Sequence, residues 1–215
     1  QDTKKASGIL EKLKHLQKPY QMLEDVTVSD VLRVVTHEEI EMLPTAPLPD
    51  EDELPRNEYG TIFHKLMELS IRSSRRGIVS QGMIERLARG LSQIQRVEME
   101  DSFKRFWGTA IAKEIVSSKR VYPELPFLYK TPYGLLKGQI DLLFENSKGE
   151  WTVLDFKTNR IKPGESSETV AKRYEWQLGL YALIFRELYG KMPAKGVLYF
   201  SSINSFTETP YTPEV

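Results

Sequence analysis

Two aspartates and a lysine lie inside two short apolar runs near the middle of the chain. The first run, Gly138–Phe144, contains Asp141, and the second, Trp151–Lys157, contains Asp155 and ends on Lys157. A polar stretch rich in turn residues separates the runs, which predicts a β-hairpin. Because residues two apart on a strand share a face, Asp155 and Lys157 should point the same way.

The register of this hairpin decides whether the two aspartates face each other. They lie opposite each other only if the loop has an odd number of residues or contains a bulge, with Glu145 paired to Trp151. Regular pairing of Glu145 with Glu150 would turn one aspartate away. We predict the first arrangement, with Asp141 and Asp155 on one face.

Facing carboxylates on apolar strands need compensating positive charge. At about 4 Å they repel each other by about 4 kcal/mol at an effective dielectric constant of 20. Lys157 supplies one charge, and a divalent metal ion would supply the rest. Hard cations such as Mg²⁺ bind carboxylate and carbonyl oxygens, and the Phe156 carbonyl lies between the two charged side chains. The alternative, a half-exposed hairpin with two surface acids, fits the apolar flanks less well.

The order of these motifs resembles a known family. Gly-x-Ile-Asp followed by Asp-x-Lys-Thr is similar to the signature of the PD-(D/E)XK nuclease superfamily, and especially of the RecB-type nuclease domain at the C-terminal end of AddA-like helicase–nucleases. That family has a histidine on an upstream helix and Gln-x-x-x-Tyr on a downstream helix. The chain has His64 four residues after Gly60, and Gln177 four residues before Tyr181.

The resemblance implies a role for each matching residue. Lys157 would position the attacking water or stabilise charge on the phosphate, and Gln177 and Tyr181 would orient Lys157 or the phosphate. The alternative for the last two is an ordinary amphipathic helix. The expected catalytic residues are Asp141, Asp155, Lys157, Gln177 and Tyr181. The expected ligands of Mg²⁺ or Mn²⁺ are His64, Asp141, Asp155 and the backbone carbonyl of Phe156.

Composition narrows the possible classes of protein. The chain has 215 residues, of which 40% are hydrophobic and 28% charged, and its formal net charge is zero. It contains no cysteine, so we expect neither a disulfide nor an iron–sulfur cluster. No P-loop motif, membrane-length apolar run or signal peptide is evident, so we expect a cytoplasmic protein whose helicase motor lies outside these residues. A chain that opens on Gln1 is expected to be a fragment or a processed product.

Charge is unevenly distributed along the chain. Residues 1–60 carry 7 basic and 13 acidic residues, whereas residues 61–137 carry 14 basic and 7 acidic residues. The basic third would attract a phosphate backbone, although a solvated helical face explains it equally well. We predict two segments, a helical N-terminal segment with an acidic proline-rich linker over 1–56 and a RecB-like nuclease domain over 57–215.

The hydrophobic pattern predicts an α/β fold, a central mixed β-sheet flanked by helices with a helical N-terminal extension. Ile140, Leu142 and Phe144 are expected on one face of their strand, with Gln139 and Asp141 on the other. The tail from residue 207 is expected to be poorly ordered. Helices are predicted over 59–73, 81–94, 99–116 and 168–189, and strands over 121–129, 138–144, 151–157 and 196–203.

Several side chains keep two interpretations. Glu124, between two prolines on an edge or bulged strand, resembles an acid that the family has on its first strand; it could support the site, form a salt bridge or bind metal. Arg72, Arg75 and Arg76 are either helix C-terminal cations or phosphate contacts. The aromatic stripe of residues 103–107 is more typical of core than of base stacking.

We weigh three functions for this chain. The first is a Mg²⁺-dependent deoxyribonuclease, by resemblance an exonuclease rather than an endonuclease, acting at single-stranded or duplex DNA ends in recombination repair with a helicase motor and a partner subunit. The second is a catalytically inactive DNA- or partner-binding domain of a helicase complex. The third is a helical interaction domain with an incidental hairpin, whose Asp141 and Asp155 would be exposed and apart.

Overall fold

The computed structural model of the chain describes residues 26–27, 54–74, 77–131, 134–161 and 164–211. The predicted N-terminal helix and most of the predicted linker lie outside these residues, so the division of the chain at residue 56 stays a prediction. The helices are α1 (Arg56–Ser74), α2 (Gln81–Leu87), α3 (Gln93–Trp107), α4 (Ala110–Ser117), α5 (Ser167–Ala171) and α6 (Glu175–Tyr189).

Local capping explains where these helices differ from their predicted bounds. Helix α3 starts earlier than predicted because Ser92 and Gln95 form a capping box. The predicted helix over 99–116 is two helices, because α3 ends before Gly108 and the Thr109 side chain caps α4. The predicted helix over 168–189 is also divided, by a 3₁₀ turn at Lys172–Tyr174 between α5 and α6.

Six strands form one mixed sheet, as predicted. Strands β1 and β3 are parallel, as are β4 and β5, while β2–β3, β3–β4 and β5–β6 are antiparallel. In the part of the chain that the structure describes, β2 pairs only with β3. The strands are β1 (Val26–Thr27), β2 (Arg120–Thr131), β3 (Gly134–Glu145), β4 (Trp151–Lys157), β5 (Lys195–Phe200) and β6 (Ser205–Pro210).

The hairpin has the predicted register. Glu145 pairs with Trp151, and the ladder continues to Leu142 and Leu154. The five-residue loop closes through hydrogen bonds between Asn146 and Glu150, and Gly149 has φ 83°, which glycine adopts at little cost. The same register brings the next pair of residues, the two aspartates, to opposing positions.

The prediction that Ile140 shares a face with Leu142 and Phe144 is wrong. Ile140 belongs to the apolar cluster beneath α6, whereas Leu142 and Phe144 belong to the cluster beneath α1 and α3. The alternation changes where the β2–β3 ladder skips Glu124, whose φ of 49° lies in the left-handed region. The strands therefore change faces at the residues that carry the candidate site.

Two apolar layers cover the sheet and bury its central strand. Residues of α1, α3 and α4 pack on one face, and residues of α6 pack on the other. Strand β4 is buried from Trp151 to Phe156, as expected for a strand covered on both faces. Phe106 lies at the centre of the first layer, with its ring in edge contact with Phe156 and Tyr199. The aromatic stripe of α3 is therefore core.

The expectation of a poorly ordered tail from residue 207 is wrong for its first residues. Strand β6 runs to Pro210 beside β5, and the backbone N–H of Tyr211 donates to the carbonyl of Ala194. The segment is polar and half-exposed, so its strand depends on pairing with β5 rather than on an apolar pattern. Among the described helices, none is both long and apolar enough to cross a bilayer.

Candidate active site

A buried ion pair lies near the C-terminal end of β4. Lys157 Nζ is 2.7 Å from Asp155 Oδ2, and the two side chains are only 13% and 2% exposed. They point to the same side of the strand, as the residue spacing predicts. Helix α6 completes the pair: the Gln177 amide donates to Asp155 Oδ1 at 3.0 Å, and its carbonyl accepts from Lys157 Nζ at 2.8 Å.

The rest of this network comes from the turn before α6 and from its second turn. The Gln177 amide nitrogen also lies 2.8 Å from the Tyr181 hydroxyl, so the predicted i, i+4 neighbours do meet. The Tyr174 ring covers the Lys157 ammonium, 4.1 Å from the ring centre. Lys157 is therefore held by a carboxylate, an amide oxygen and an aromatic face together.

Asp141 connects β3 to β4 where their ladder stops. Its Oδ2 accepts a hydrogen bond of 2.7 Å from the backbone N–H of Phe156. A side chain thus takes the place of the next backbone partner, and the two strands part at this point. The third function predicted exposed aspartates, which is wrong because the side chains of Asp141 and Asp155 are both largely buried.

Helix α1 brings His64 to the same place. The apolar side chains beside it on α1 are buried, which fixes the helix on the sheet, and the His64 ring meets Phe156 edge-on at 6.0 Å. Gly60, one turn earlier, allows the close approach to β4, because a Cβ there would lie 2.9 Å from Thr158 Oγ1. The predicted histidine helix thus packs against the end of the aspartate–lysine strand.

Three side chains converge beside the ion pair as a candidate ligand group. His64 Nδ1 lies 3.4 Å from Asp141 Oδ2 and 3.8 Å from Glu124 Oε1. One ligand atom from each residue lies within 4.8 Å of the others. We call His64, Glu124 and Asp141 the histidine–acid group. Because Glu124 has φ 49°, local strain accompanies the direction of its carboxylate.

The charges of the site perturb each other's protonation. Burial alone would lower the pKa of His64, but the carboxylates of Asp141 and Glu124 raise it to about 10. Burial raises the pKa of Asp155 to about 6, although Lys157 opposes the change. Burial acts to lower the pKa of Lys157, but Asp155 raises it above its ordinary value. At neutral pH the lysine is therefore an ammonium ion beside ionised carboxylates.

The donor atoms fit a hard divalent cation. The site offers oxygen atoms from three carboxylates and one imidazole nitrogen, a set that suits Mg²⁺ or Mn²⁺. Asp155 Oδ2 is buried, and despite the nearby ammonium it receives no hydrogen bond of good geometry from the described residues. A buried carboxylate oxygen of this kind has capacity for a further positive partner.

The structure sorts the predicted site residues into two neighbouring sets. Asp155, Lys157, Gln177 and Tyr181 form the ion-pair network, and His64 and Asp141 belong to the histidine–acid group. Asp155, which we predicted as a metal ligand, lies outside that group of three. Glu124 lies inside it, and the available signal was an acid between two prolines on a strand.

An open cleft of about 620 Å³ begins at the histidine–acid group. Two members of the group, His64 and Glu124, lie on its wall. The cleft follows α1 toward its first residue, and the loop after β4 contributes Thr158 and Asn159. An extended, polar ligand can therefore reach the site from solvent without any movement of the core.

A mixed sheet with an acid pair and a lysine where two central strands part, joined by a histidine from one layer and a glutamine from the other, defines a class of nucleases. The sequence pattern of the PD-(D/E)XK nuclease superfamily matches residues 36–214. The chain belongs to this superfamily, and the predicted RecB-type relationship is confirmed.

The relatives are large proteins, each named as the first of the subunits of an ATP-dependent helicase/nuclease. The one from Carboxydothermus hydrogenoformans is 28% identical over 204 residues, which are 83% of this chain and 17% of that protein. Those from Oceanobacillus iheyensis and Acetivibrio thermocellus are each 27% identical, over 69% and 81% of this chain and 13% and 15% of their own lengths. The chain thus spans less than a fifth of these relatives.

Among solved structures, the crystal structure of SSO0001 matches at a TM-score of 0.36. It is 13% identical, over 95% of this chain and 75% of that one.

The electrostatic coupling within the histidine–acid group predicts a large change on removing one charge. In EDTA, Asp141→Asn should lower the pKa of His64 by about one to three units, because an adjacent carboxylate is lost. The measurement is an NMR titration of the imidazole nitrogens, with His64→Gln assigning the signal. Glu145→Gln, on the same strand but paired to Arg120, should leave the pKa unchanged. An unchanged pKa in Asp141→Asn would contradict the proximity described here.

The sign of this coupling also sets a pH window for stability. The pKa of His64 in the fold, about 10, exceeds its ordinary value of 6.5. Protonated His64 therefore stabilises the metal-free fold fully below pH 6.5, and this contribution is lost as the pH rises through about 10.

The left-handed backbone of Glu124 predicts that glycine is tolerated there. Glu124→Gly and Glu124→Gln both remove the carboxylate, but only glycine relieves the strain, so the glycine variant should be more stable by about 1 kcal/mol. Urea unfolding in EDTA measures the difference. At Lys130, an exposed position of the same strand outside the left-handed region, the order should reverse. Equal stabilities at position 124 would contradict the presence of strain there.

Proposed function

We propose that the chain is a Mg²⁺- or Mn²⁺-dependent deoxyribonuclease that hydrolyses phosphodiester bonds. The observation that carries this proposal is the buried Asp155–Lys157 pair, held by Gln177 next to the histidine–acid group. A structural role alone would not require two buried carboxylates, a buried ammonium and an imidazole beside an open cleft, because each charge costs desolvation free energy.

The residues that would hold the cation are Asp141 and His64, with Glu124 and Asp155 adjacent. When bound, a divalent cation supplies Lewis-acid polarisation of a phosphoryl oxygen and a lowered pKa for an attacking water. The contribution of Phe156 through its backbone carbonyl remains part of this proposal. Its N–H already orients Asp141, so Phe156 would act through both of its backbone polar groups.

Lys157 supplies positive charge for the reaction. As an ammonium it cannot accept a proton from water, so it acts by stabilising charge that develops on the phosphoryl oxygens or by orienting the water. Asp155 and the Gln177 carbonyl keep its charge in place. Tyr181 fixes the Gln177 amide, which leaves the amide oxygen directed at Lys157.

The cellular setting is proposed from the relatives. Their name joins a helicase to a nuclease, and the chain spans 13–17% of their lengths. We infer that it is the nuclease domain of a cytoplasmic helicase–nuclease with a partner subunit, acting at DNA double-strand ends in recombination repair. Exonuclease action on a delivered single strand suits the open, elongated cleft. The alternative, an inactive DNA- or partner-binding domain, is less favoured because every expected site residue is present.

Cleavage of end-labelled single-stranded DNA tests this function. We expect cutting in Mg²⁺ or Mn²⁺ and none in EDTA, with products that carry a 5′ phosphate. Asp155→Ala and Lys157→Gln should each slow cutting by at least about 100-fold, the usual cost of removing a group that stabilises a transition state. Linear strands should be cut much faster than circular strands if the enzyme is an exonuclease.

Control variants separate chemistry from folding. Lys148→Gln, in the exposed hairpin turn, should cut at the wild-type rate, and thermal melting should show that all variants remain folded. Full activity in Asp155→Ala would overturn the site assignment. A folded wild type that binds DNA but neither cuts it nor binds Mn²⁺ would favour the inactive binding domain.

A further inference from the structure

Two groups of charged side chains lie along the cleft, on either side of His64. Both are built on α1, and both combine one carboxylate with two cations. We call them the Glu98 group (Arg56, Glu98 and Arg160) and the Glu68 group (Lys65, Glu68 and Arg72). Neither belongs to the ion-pair network or to the histidine–acid group.

The Glu98 group lies at the far end of the cleft. Arg56 donates to both oxygens of Glu98, at 2.8 and 3.0 Å, and its guanidinium lies over the Tyr59 ring. Arg160 reaches the same carboxylate at 3.3 Å and remains 61% exposed. One negative charge is thus shared between two positive charges, which leaves this end with a formal excess of one positive charge.

The Glu68 group lies on the other side of His64. Lys65 Nζ and Arg72 Nε each lie 2.7–2.8 Å from a different oxygen of Glu68. The Lys65 side chain is 52% exposed, and both Lys65 and Glu68 line the cleft. Arg72 is tied to the carbonyl of Pro123, so Lys65 is the more adjustable cation. This end also carries a formal excess of one positive charge.

Helix geometry gives the spacing of the two groups. Arg56 precedes His64 by eight residues, which is about 12 Å along α1, and Glu68 follows His64 by one turn, about 6 Å. The histidine–acid group therefore lies between two sites of excess positive charge in one continuous cleft. A single phosphate would need one such site, whereas a chain of phosphates passing the metal ligands would meet both.

We propose that the cleft holds a single nucleic-acid strand parallel to α1, with Lys65 and Arg160 contacting phosphates on opposite sides of the cleaved bond. This inference rests on the proposed function, because it takes the histidine–acid group as the point of cleavage. Asn57 and Asn159, which also line the cleft, add neutral donors for phosphate oxygens. Binding here is independent of base sequence, because these contacts are to the backbone.

An acidic polypeptide would also be attracted to such charges, but the geometry favours a strand of phosphodiesters. The path between the two groups crosses His64 and Glu124, where a carboxylate ligand would meet further carboxylates. A phosphodiester at that point would instead lie next to Lys157 and a bound divalent cation, whose positive charges suit it.

The salt dependence of binding tests the proposal. A fluorescein-labelled thymidine homopolymer is titrated with the full chain in Ca²⁺, and fluorescence anisotropy gives the dissociation constant at several salt concentrations. Each of Lys65→Gln and Arg160→Gln should reduce the slope of log K against log salt by about 0.7, since each removes one phosphate contact to a single strand. At 0.1 M salt this corresponds to about five-fold weaker binding, and the double variant should lose about twice the slope.

Arg120→Gln is the matched control. Arg120 is 59% exposed and paired to a glutamate like Arg160, but it precedes Glu124 by four residues on β2 and does not line the cleft. Its replacement should leave the slope unchanged. Slopes in Lys65→Gln and Arg160→Gln equal to that of the wild type, an equal loss in Arg120→Gln, or a wild type that does not bind the strand would each overturn the proposal.

The cleavage assay separates this proposal from the function on which it rests. A wild type that cuts DNA but whose Lys65→Gln and Arg160→Gln variants keep the full slope refutes only the strand path. A wild type that binds with the expected slopes but never cuts refutes only the nuclease proposal, and it leaves the cleft as a strand-binding site.

Discussion

The candidate site depends on how the charge of Asp155 is balanced inside the sheet. Its side chain is 2% exposed on a strand covered by both apolar layers, so water cannot solvate the carboxylate. Lys157 supplies the opposite charge, and Gln177 bonds to both partners. Removing one member of a buried pair typically costs about 3–5 kcal/mol, so the network also fixes α6 on the sheet. The same contacts that stabilise the fold therefore orient the reactive ammonium.

The second constraint is the parting of β3 and β4. If the ladder continued regularly, Asp141 would be only one more strand residue, enclosed between neighbouring strands. Instead its carboxylate accepts the Phe156 N–H and faces His64 from the opposite layer. The left-handed residue Glu124 lies at the same level of the neighbouring strand and turns its carboxylate to the same point. Residues from both faces of the sheet thus meet at one gap.

Much of this arrangement could be predicted because it follows from short-range rules. The alternation of β4 placed Lys157 beside Asp155, and charge compensation required a hairpin loop of odd length. The four-residue spacing of Gln177 and Tyr181 on a helix brought them together. These features depend on residues that are close in sequence or paired in one hairpin.

Other features depend on distant partners and could not be predicted in this way. Nothing local to Glu124 indicates a left-handed backbone, which the surrounding sheet imposes. The apolar pattern continues through the 3₁₀ turn before α6, so it gave no sign that Tyr174 would cover Lys157. Strand β6 is polar, and only its pairing with β5 makes it a strand.

The central claim is that a divalent cation binds where β3 and β4 part. The most direct measurement is anomalous diffraction from crystals of the chain soaked in Mn²⁺. We expect one strong peak in contact with His64 Nδ1 and the Asp141 carboxylate, and no such peak in crystals of Asp141→Asn. A fully occupied Mn²⁺ elsewhere, with ordered density for His64 and Asp141 but no peak between them, would contradict the claim.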